Sequence, residues 1–146
     1  MRILGLDVGS KTIGIAVSDP LGFSAQGLTT VRRSSWQADL AAVCNYISEY
    51  EAKTIIIGLP LNMNGSLGPA ATVAKLFAKK LEQAACAAGL DICVIMRDER
   101  LTTVAASRVL LQGDVSRQKR KKVIDKVAAV LILQGYLDYQ LNLHNE

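Results

Sequence analysis

The stretch Met1-Arg2-Ile3-Leu4-Gly5-Leu6-Asp7-Val8-Gly9-Ser10-Lys11-Thr12-Ile13-Gly14-Ile15-Ala16-Val17-Ser18-Asp19 decides the fold. Two apolar runs flank a tight Gly9-Ser10 turn, which predicts strands over 2–8 and 12–18 paired as a hairpin. Packing does not ask for Asp7. An ionised carboxylate on a buried strand binds a proton or finds a cation, so Asp7 points to a metal or a phosphate nearby. The competing reading is an Asp that ends a strand and bonds its own turn.

Working outward, Asp19-Pro20-Leu21-Gly22 makes a second turn before a third strand near 26–31, which completes a meander. Ser34 or Ser35 suits an N-cap, and Trp36, Leu40, Val43, Ile47 and Tyr50 follow at alternating spacings of four and three, the signature of an amphipathic helix. Thr54-Ile55-Ile56-Ile57 is a continuous β-branched run, expected of a strand covered on both faces. A Gly- and Asn-rich loop spans 62–69, and Pro69 opens a helix that Gly89 stops. A fifth strand is expected over 91–96, a short helix over 102–111 and a last helix over 121–139. Consecutive strands of a meander pair antiparallel, and strands entered through helical crossovers lie parallel. The expectation is a mixed five-stranded α/β sheet, order 3-2-1-4-5, with helices on both faces and the strand of Asp7 at its centre.

Size and composition narrow the function. At 146 residues the chain reads as one domain over 1–146, too short for two lobes that close on a ligand. Half the residues are hydrophobic, yet no apolar run reaches the ~20 residues that span a bilayer, so no membrane partner is expected. The N-terminus lacks the pattern of a signal peptide, so the expected location is the cytoplasm. Cys44, Cys86 and Cys93 lack metal-ligand spacing and the only histidine, His144, lies near the C-terminus, which argues against disulfide, zinc and histidine-base chemistry. The net charge of +4 is modest, but Arg117, Lys119, Arg120, Lys121 and Lys122 place five cations in six positions just before the last helical pattern. Cations there oppose the helix dipole, so an external polyanion explains them better than helix stability does. A solvated charged loop is the competing reading.

Three carboxylates could act together. Asp7 ends the first strand and the Asp98-Glu99 pair follows the fifth. In the last helix Asp125 shares a face with Ala128, Ala129, Ile132 and Tyr136. Small residues on that face let the helix approach the sheet. Carboxylates gathered without histidine or cysteine describe a site for Mg²⁺ or Mn²⁺. Such ions bind phosphate oxygens and support in-line displacement at phosphorus. For each acid alone an N-cap or surface ion pair competes, and Glu99 could pair with Arg100 or Arg97. The loop Gly58-Leu59-Pro60-Leu61-Asn62-Met63-Asn64-Gly65-Ser66 offers amides to a phosphodiester backbone, with Asn62 and Asn64 as candidate contacts.

The motifs Gly5-Leu-Asp-Val-Gly-Ser-Lys-Thr-Ile-Gly-Ile-Ala-Val-Ser-Asp19, Gly58-Leu-Pro-Leu-Asn-Met-Asn-Gly65, Asp98-Glu-Arg-Leu-Thr-Thr103 and Asp125-Lys-Val-Ala-Ala-Val-Leu-Ile-Leu-Gln134 together resemble the bacterial YqgF family, also called RuvX, across essentially the whole chain. The resemblance implies a ribonuclease H-like fold related to Holliday-junction resolvases. It assigns the acidic triad to Asp7, Glu99 and Asp125. It also implies a nuclease that matures the 5′ end of precursor 16S ribosomal RNA. Many family members carry arginine directly before the Ile-Gly of the first motif; here Thr12 stands there, with Lys11 before it, so that arginine's phosphate contact is not carried over.

The leading expectation is a metal-dependent endonuclease acting on structured RNA. Asp7, Glu99 and Asp125 would be both catalytic and metal-binding, and Lys11, Arg100 and the 117–122 cations would contact phosphate. One alternative is a branched-DNA resolvase, and another is a non-catalytic nucleic-acid or transcription-complex binding protein. ATP phosphoryl transfer, suggested by a similar Asp-x-Gly hairpin in sugar kinases, is opposed by the missing second lobe. Monomer and homodimer both remain open.

Overall fold

The computed structural model describes the backbone of residues 2–101 and 117–144, and side chains over 2–100 and 126–143. Five strands, β1 (Ile3–Val8), β2 (Thr12–Ser18), β3 (Ala25–Arg32), β4 (Thr54–Leu59) and β5 (Cys93–Asp98), form one sheet in the order β3-β2-β1-β4-β5. β1–β2 and β2–β3 pair antiparallel, and β1–β4 and β4–β5 pair parallel, as the meander and crossovers require. The central position of β1 is therefore as expected.

Alternation along each strand divides the core in two. Leu4, Leu6 and Val8 of β1 and Ile55 and Ile57 of β4 pack against α1 (Trp36–Glu49) and α2 (Pro69–Ala87). On the opposite face Ala16 and Ile56 pack against Ala128, Ala129, Ile132, Leu133 and Leu137 of α3 (Arg117–His144). Ile55, Ile56 and Ile57 are fully buried, so three consecutive side chains serve both layers. Burial of each contributes roughly 1.5–3 kcal/mol.

Helix ends follow local chemistry. The Ser35 hydroxyl accepts the Ala38 N–H at 3.1 Å and caps α1. Pro69 opens α2, and Gly89 turns the chain just past it at a φ of +75°.

Two elements differ in extent from the sequence reading, the fifth strand and the last helix, which runs on to His144 rather than 139. The fifth strand runs Cys93–Asp98 rather than 91–96, because its register with β4 starts at Thr54↔Cys93 and reaches Leu59↔Asp98. β5 is a half-buried edge strand, so polar Arg97 and Asp98 can continue it where an apolar criterion stops. The last helix begins at Arg117, not near 121, so Arg117, Lys119, Arg120, Lys121 and Lys122 lie in its first turns rather than before it. Lysine and arginine are good helix formers, which offsets their unfavourable place near the dipole. The helix expected over 102–111 lies outside the described residues. Among the described residues, no helix is long and apolar enough to cross a membrane.

Candidate active site

Asp7 sits near the end of β1, opposite Gly14 of β2, and is only 5% exposed. Its alternation with Ile3 and Gly5 puts it on the α3 face of the sheet. The β1–β4 register pairs Leu6 with Ile57, so one step further brings Gly58 beside Asp7. Gly58 is bare for a reason: a Cβ there would sit 2.5 Å from Ile132 Cδ1, 2.6 Å from Glu99 Oε1 and 3.2 Å from Glu99 Cγ. Neighbouring strands lie about 4.8 Å apart. The Glu99 carboxylate thus lies over the strand position next to Asp7, on the same face.

The third expected acid is placed by the helix backbone. A Cβ on Gly5 would lie 2.7 Å from Leu133 Cβ and 3.1 Å from the Ala129 carbonyl oxygen, so α3 presses directly on β1. Gln134 bonds the backbone of Phe23 and Ala25 near the start of β3, while the Lys126 stem lies over Gly27 further along. Moving back along α3 therefore climbs in the direction of β3 and of β1. Asp125 is one turn before Ala129, about 6 Å along the helix. Asp7 is two residues beyond Gly5, about 6.6 Å along the strand. The two positions rise together, and the Asp125 side chain itself lies outside the described residues. Among the described residues no group of three or more His, Cys, Asp or Glu gathers; Asp125 is not in that set.

Asp98 and Arg100 show what sequence reasoning left open. Arg100 pairs with Asp98, not with Glu99: its Nη2 lies 2.8 Å from Asp98 Oδ2, and its Nε donates to both oxygens at 3.0 and 3.1 Å. The Arg100 backbone N–H donates to Asp98 Oδ1 at 2.9 Å, so the Asp98 carboxylate also closes the turn that holds Glu99. Bonding to the Arg100 guanidinium holds the Asp98 carboxyl below the usual carboxylate range. Arg100 Nη1 reaches further, to the Met63 carbonyl at 3.3 Å. The guanidinium expected on phosphate is thus engaged by protein.

The loop at 61–67 is built from its own polar groups. Asn64 Oδ1 accepts from the Ser66 backbone N–H and hydroxyl, and Asn62 Nδ2 donates to the Ser66 hydroxyl. Gly65, at a φ of +85°, completes the turn beside the Arg100 guanidinium. Asn62 and Asn64 therefore shape the loop while remaining exposed, and Met63 between them is 93% accessible. Lys11 is exposed in the β1–β2 turn, and its carbonyl accepts the Arg33 N–H at 2.8 Å.

A further polar group near this turn was not foreseen. Asp39, buried in the first turn of α1, binds Arg33 Nε at 3.1 Å and the Ser34 N–H at 3.0 Å. Arg33 Nη1 donates to the Gly9 carbonyl at 3.1 Å, and the guanidinium lies over the rings of Trp36 and Phe77. An acid in a first helical turn was visible, but its link to the turn after Asp7 depends on how α1 docks.

The sheet order and the crossing of α3 define a ribonuclease H-like fold of the resolvase type. The structure of Thermus thermophilus RuvC in complex with a Holliday junction substrate superposes with a TM-score of 0.60 at 16% identity, over 97% of this chain and 96% of that one. The chain belongs to the RuvX family, described as Holliday junction resolvase, whose profile matches residues 1–139. A Clostridium beijerinckii protein named "Putative pre-16S rRNA nuclease" is 59% identical over 138 residues, covering 94% of this chain and 96% of that protein. A Moorella thermoacetica protein of the same name is 57% identical, covering 94% and 95%.

Proposed function

We propose that this protein is a divalent-metal-dependent endonuclease that hydrolyses phosphodiester bonds at the 5′ end of precursor 16S ribosomal RNA, in the cytoplasm, with one ribonuclease H-like domain over 1–146. The observation that carries this reading is the Glu99 carboxylate lying over Gly58 beside buried Asp7, under the helix that bears Asp125. The relatives' shared name supports ribosomal RNA as the substrate.

An all-oxygen donor set suits Mg²⁺ or Mn²⁺. Asp7, Glu99 and Asp125 would hold it, and when bound it supplies Lewis-acid polarisation of the phosphodiester for in-line attack by water. The protein's own part is positional. β1 fixes Asp7 in the central strand of the sheet, and the Asp98 turn fixes Glu99. Packing of Ala129 and Leu133 on Gly5 sets the height of α3 and so of Asp125. Lys11 and the cations Arg117, Lys119, Arg120, Lys121 and Lys122 neutralise phosphates along the strand, and the loop of Asn62 and Asn64 meets the backbone next to the site.

The test is cleavage of precursor 16S RNA with Mg²⁺ and with Mn²⁺. Asp7→Asn should fold normally and lose activity by more than about 100-fold, as expected when a metal ligand rather than a supporting partner is removed. Undiminished cleavage by that variant defeats the assignment. The family's description favours a second reading, cutting of branched DNA, so a four-way DNA junction belongs in the same assay. Faster cutting of the junction would change the substrate while keeping the site.

A further inference from the structure

Arg100 lies next to Glu99 and its charge invites a phosphate contact, yet all its described bonds are internal. Nε and one N–H of Nη2 bond Asp98, and one N–H of Nη1 bonds the Met63 carbonyl. Asp98 in turn accepts the Arg100 backbone N–H, closing the turn that has Glu99 at its centre. Two distant pieces of chain thus meet at one ion pair: the 61–67 loop and the segment that presents Glu99. The loop is stiffened from within by Asn62, Asn64 and Ser66. It therefore has little freedom except as a body hinged at its ends, and the guanidinium is the described side-chain bond between it and the Asp98 turn.

We infer that the Asp98–Arg100 pair is a positioning device that locks the 61–67 loop and the Glu99 carboxylate into one unit, so that a nucleic-acid strand lying on the loop also sets the carboxylate. Arg100 is then a positioning residue and not a phosphate contact. The inference rests on the nuclease reading for its consequence in cleavage, but the coupling itself is a property of the free protein. A partly exposed ion pair contributes little to stability, so variants of it should remain folded.

The two roles for Arg100 make opposite predictions for its partner. If Arg100 held phosphate, Asp98→Asn would free the guanidinium and strengthen substrate binding, while Arg100→Ala would weaken binding and lower its salt dependence. If the pair is a lock, Asp98→Asn and Arg100→Ala act alike, and the double variant is no worse than either.

The experiment uses the full chain in three measurements: amide exchange at Gly65 and Ser66, Mn²⁺ affinity by calorimetry, and cleavage of precursor 16S RNA and a four-way DNA junction. We expect both single variants to speed exchange at Gly65 and Ser66 and to weaken Mn²⁺ binding by about tenfold, as for loss of a residue that orients a metal ligand. We expect kcat to fall together with Mn²⁺ affinity, and Arg100→Lys to restore neither, because it lacks the fork that spans Asp98 and Met63. Unchanged exchange in both variants, or opposite effects of the two on binding, overturns the inference. A wild type that cuts neither substrate defeats the nuclease reading alone; the exchange and Mn²⁺ results then still decide the lock.

Discussion

Gly58 shows how much one missing methyl group can hold in place. A Cβ there would first meet the far ends of the Ile132 and Glu99 side chains, at Cδ1 and Oε1, with Glu99 Cγ just behind them, so side chains rather than backbone must yield. Gly58→Ala should therefore lose about 1–2 kcal/mol of stability in urea unfolding, at the lower end for overpacking. Cleavage should fall by more than about tenfold, because the side chain that yields is the proposed metal ligand; wild-type cleavage would mean that Glu99 acts from another position. Asp19 offers a test of a different kind. Its Oδ1 accepts the Phe23 and Ser24 amides at 2.7 and 2.9 Å, and the Ser24 bond leads in holding its carboxyl below the ordinary value of 3.8. A carboxyl lowered on folding stabilises the folded state above its unfolded pKa, and that contribution is lost as pH falls through the lower folded value. An NMR titration should place the Asp19 midpoint below 3.8, with the Phe23 and Ser24 amides shifting on the same curve. Of these residues Asp7 was legible in sequence, since a charge in an apolar run is a local anomaly. The approach of Glu99 to Gly58 was not, because it joins a strand and a turn that lie 41 residues apart in sequence.

At the level of elements, periodicity revealed the strands and helices but not their joints. The meander, both crossovers and a serine cap at 34 or 35 follow from local pattern, and the structure selects Ser35. The ends of β5 and α3 do not, since the first depends on register with β4 and the second on propensity set against charge. The joint between β3 and α1 illustrates the same limit. Arg33 neutralises the buried Asp39 and also ties the Gly9 turn to the start of α1. Arg33→Ala should cost about 3 kcal/mol in urea unfolding, because it leaves a buried carboxylate without its cation. Asp39→Ala added to it should recover part of the loss, and a double variant less stable than Arg33→Ala alone would contradict this account.

Across the whole molecule, the order 3-2-1-4-5 was deducible because few topologies satisfy a meander followed by two right-handed crossovers. What sequence did not give was the depth at which α3 meets the sheet, which the bare position at Gly5 settles. Removing residues beyond 116 should therefore uncover the Ala16 and Ile56 face. The shortened chain should bind a hydrophobic dye and lose Mn²⁺ affinity, and a shortened chain that stays compact and dye-free would show that α3 is dispensable to the core.

The close seat of α3 on β1 has a consequence for how such a chain comes into being. Of the three acids Asp7 leaves the ribosome first, Glu99 next and Asp125 last, and the second face of the strand that carries Asp7 is not covered until α3 arrives. A protein proposed to cut ribosomal RNA is made by a machine built of that RNA. On that proposal the growing chain cannot assemble its three carboxylates until the helix that bears Asp125 has been made.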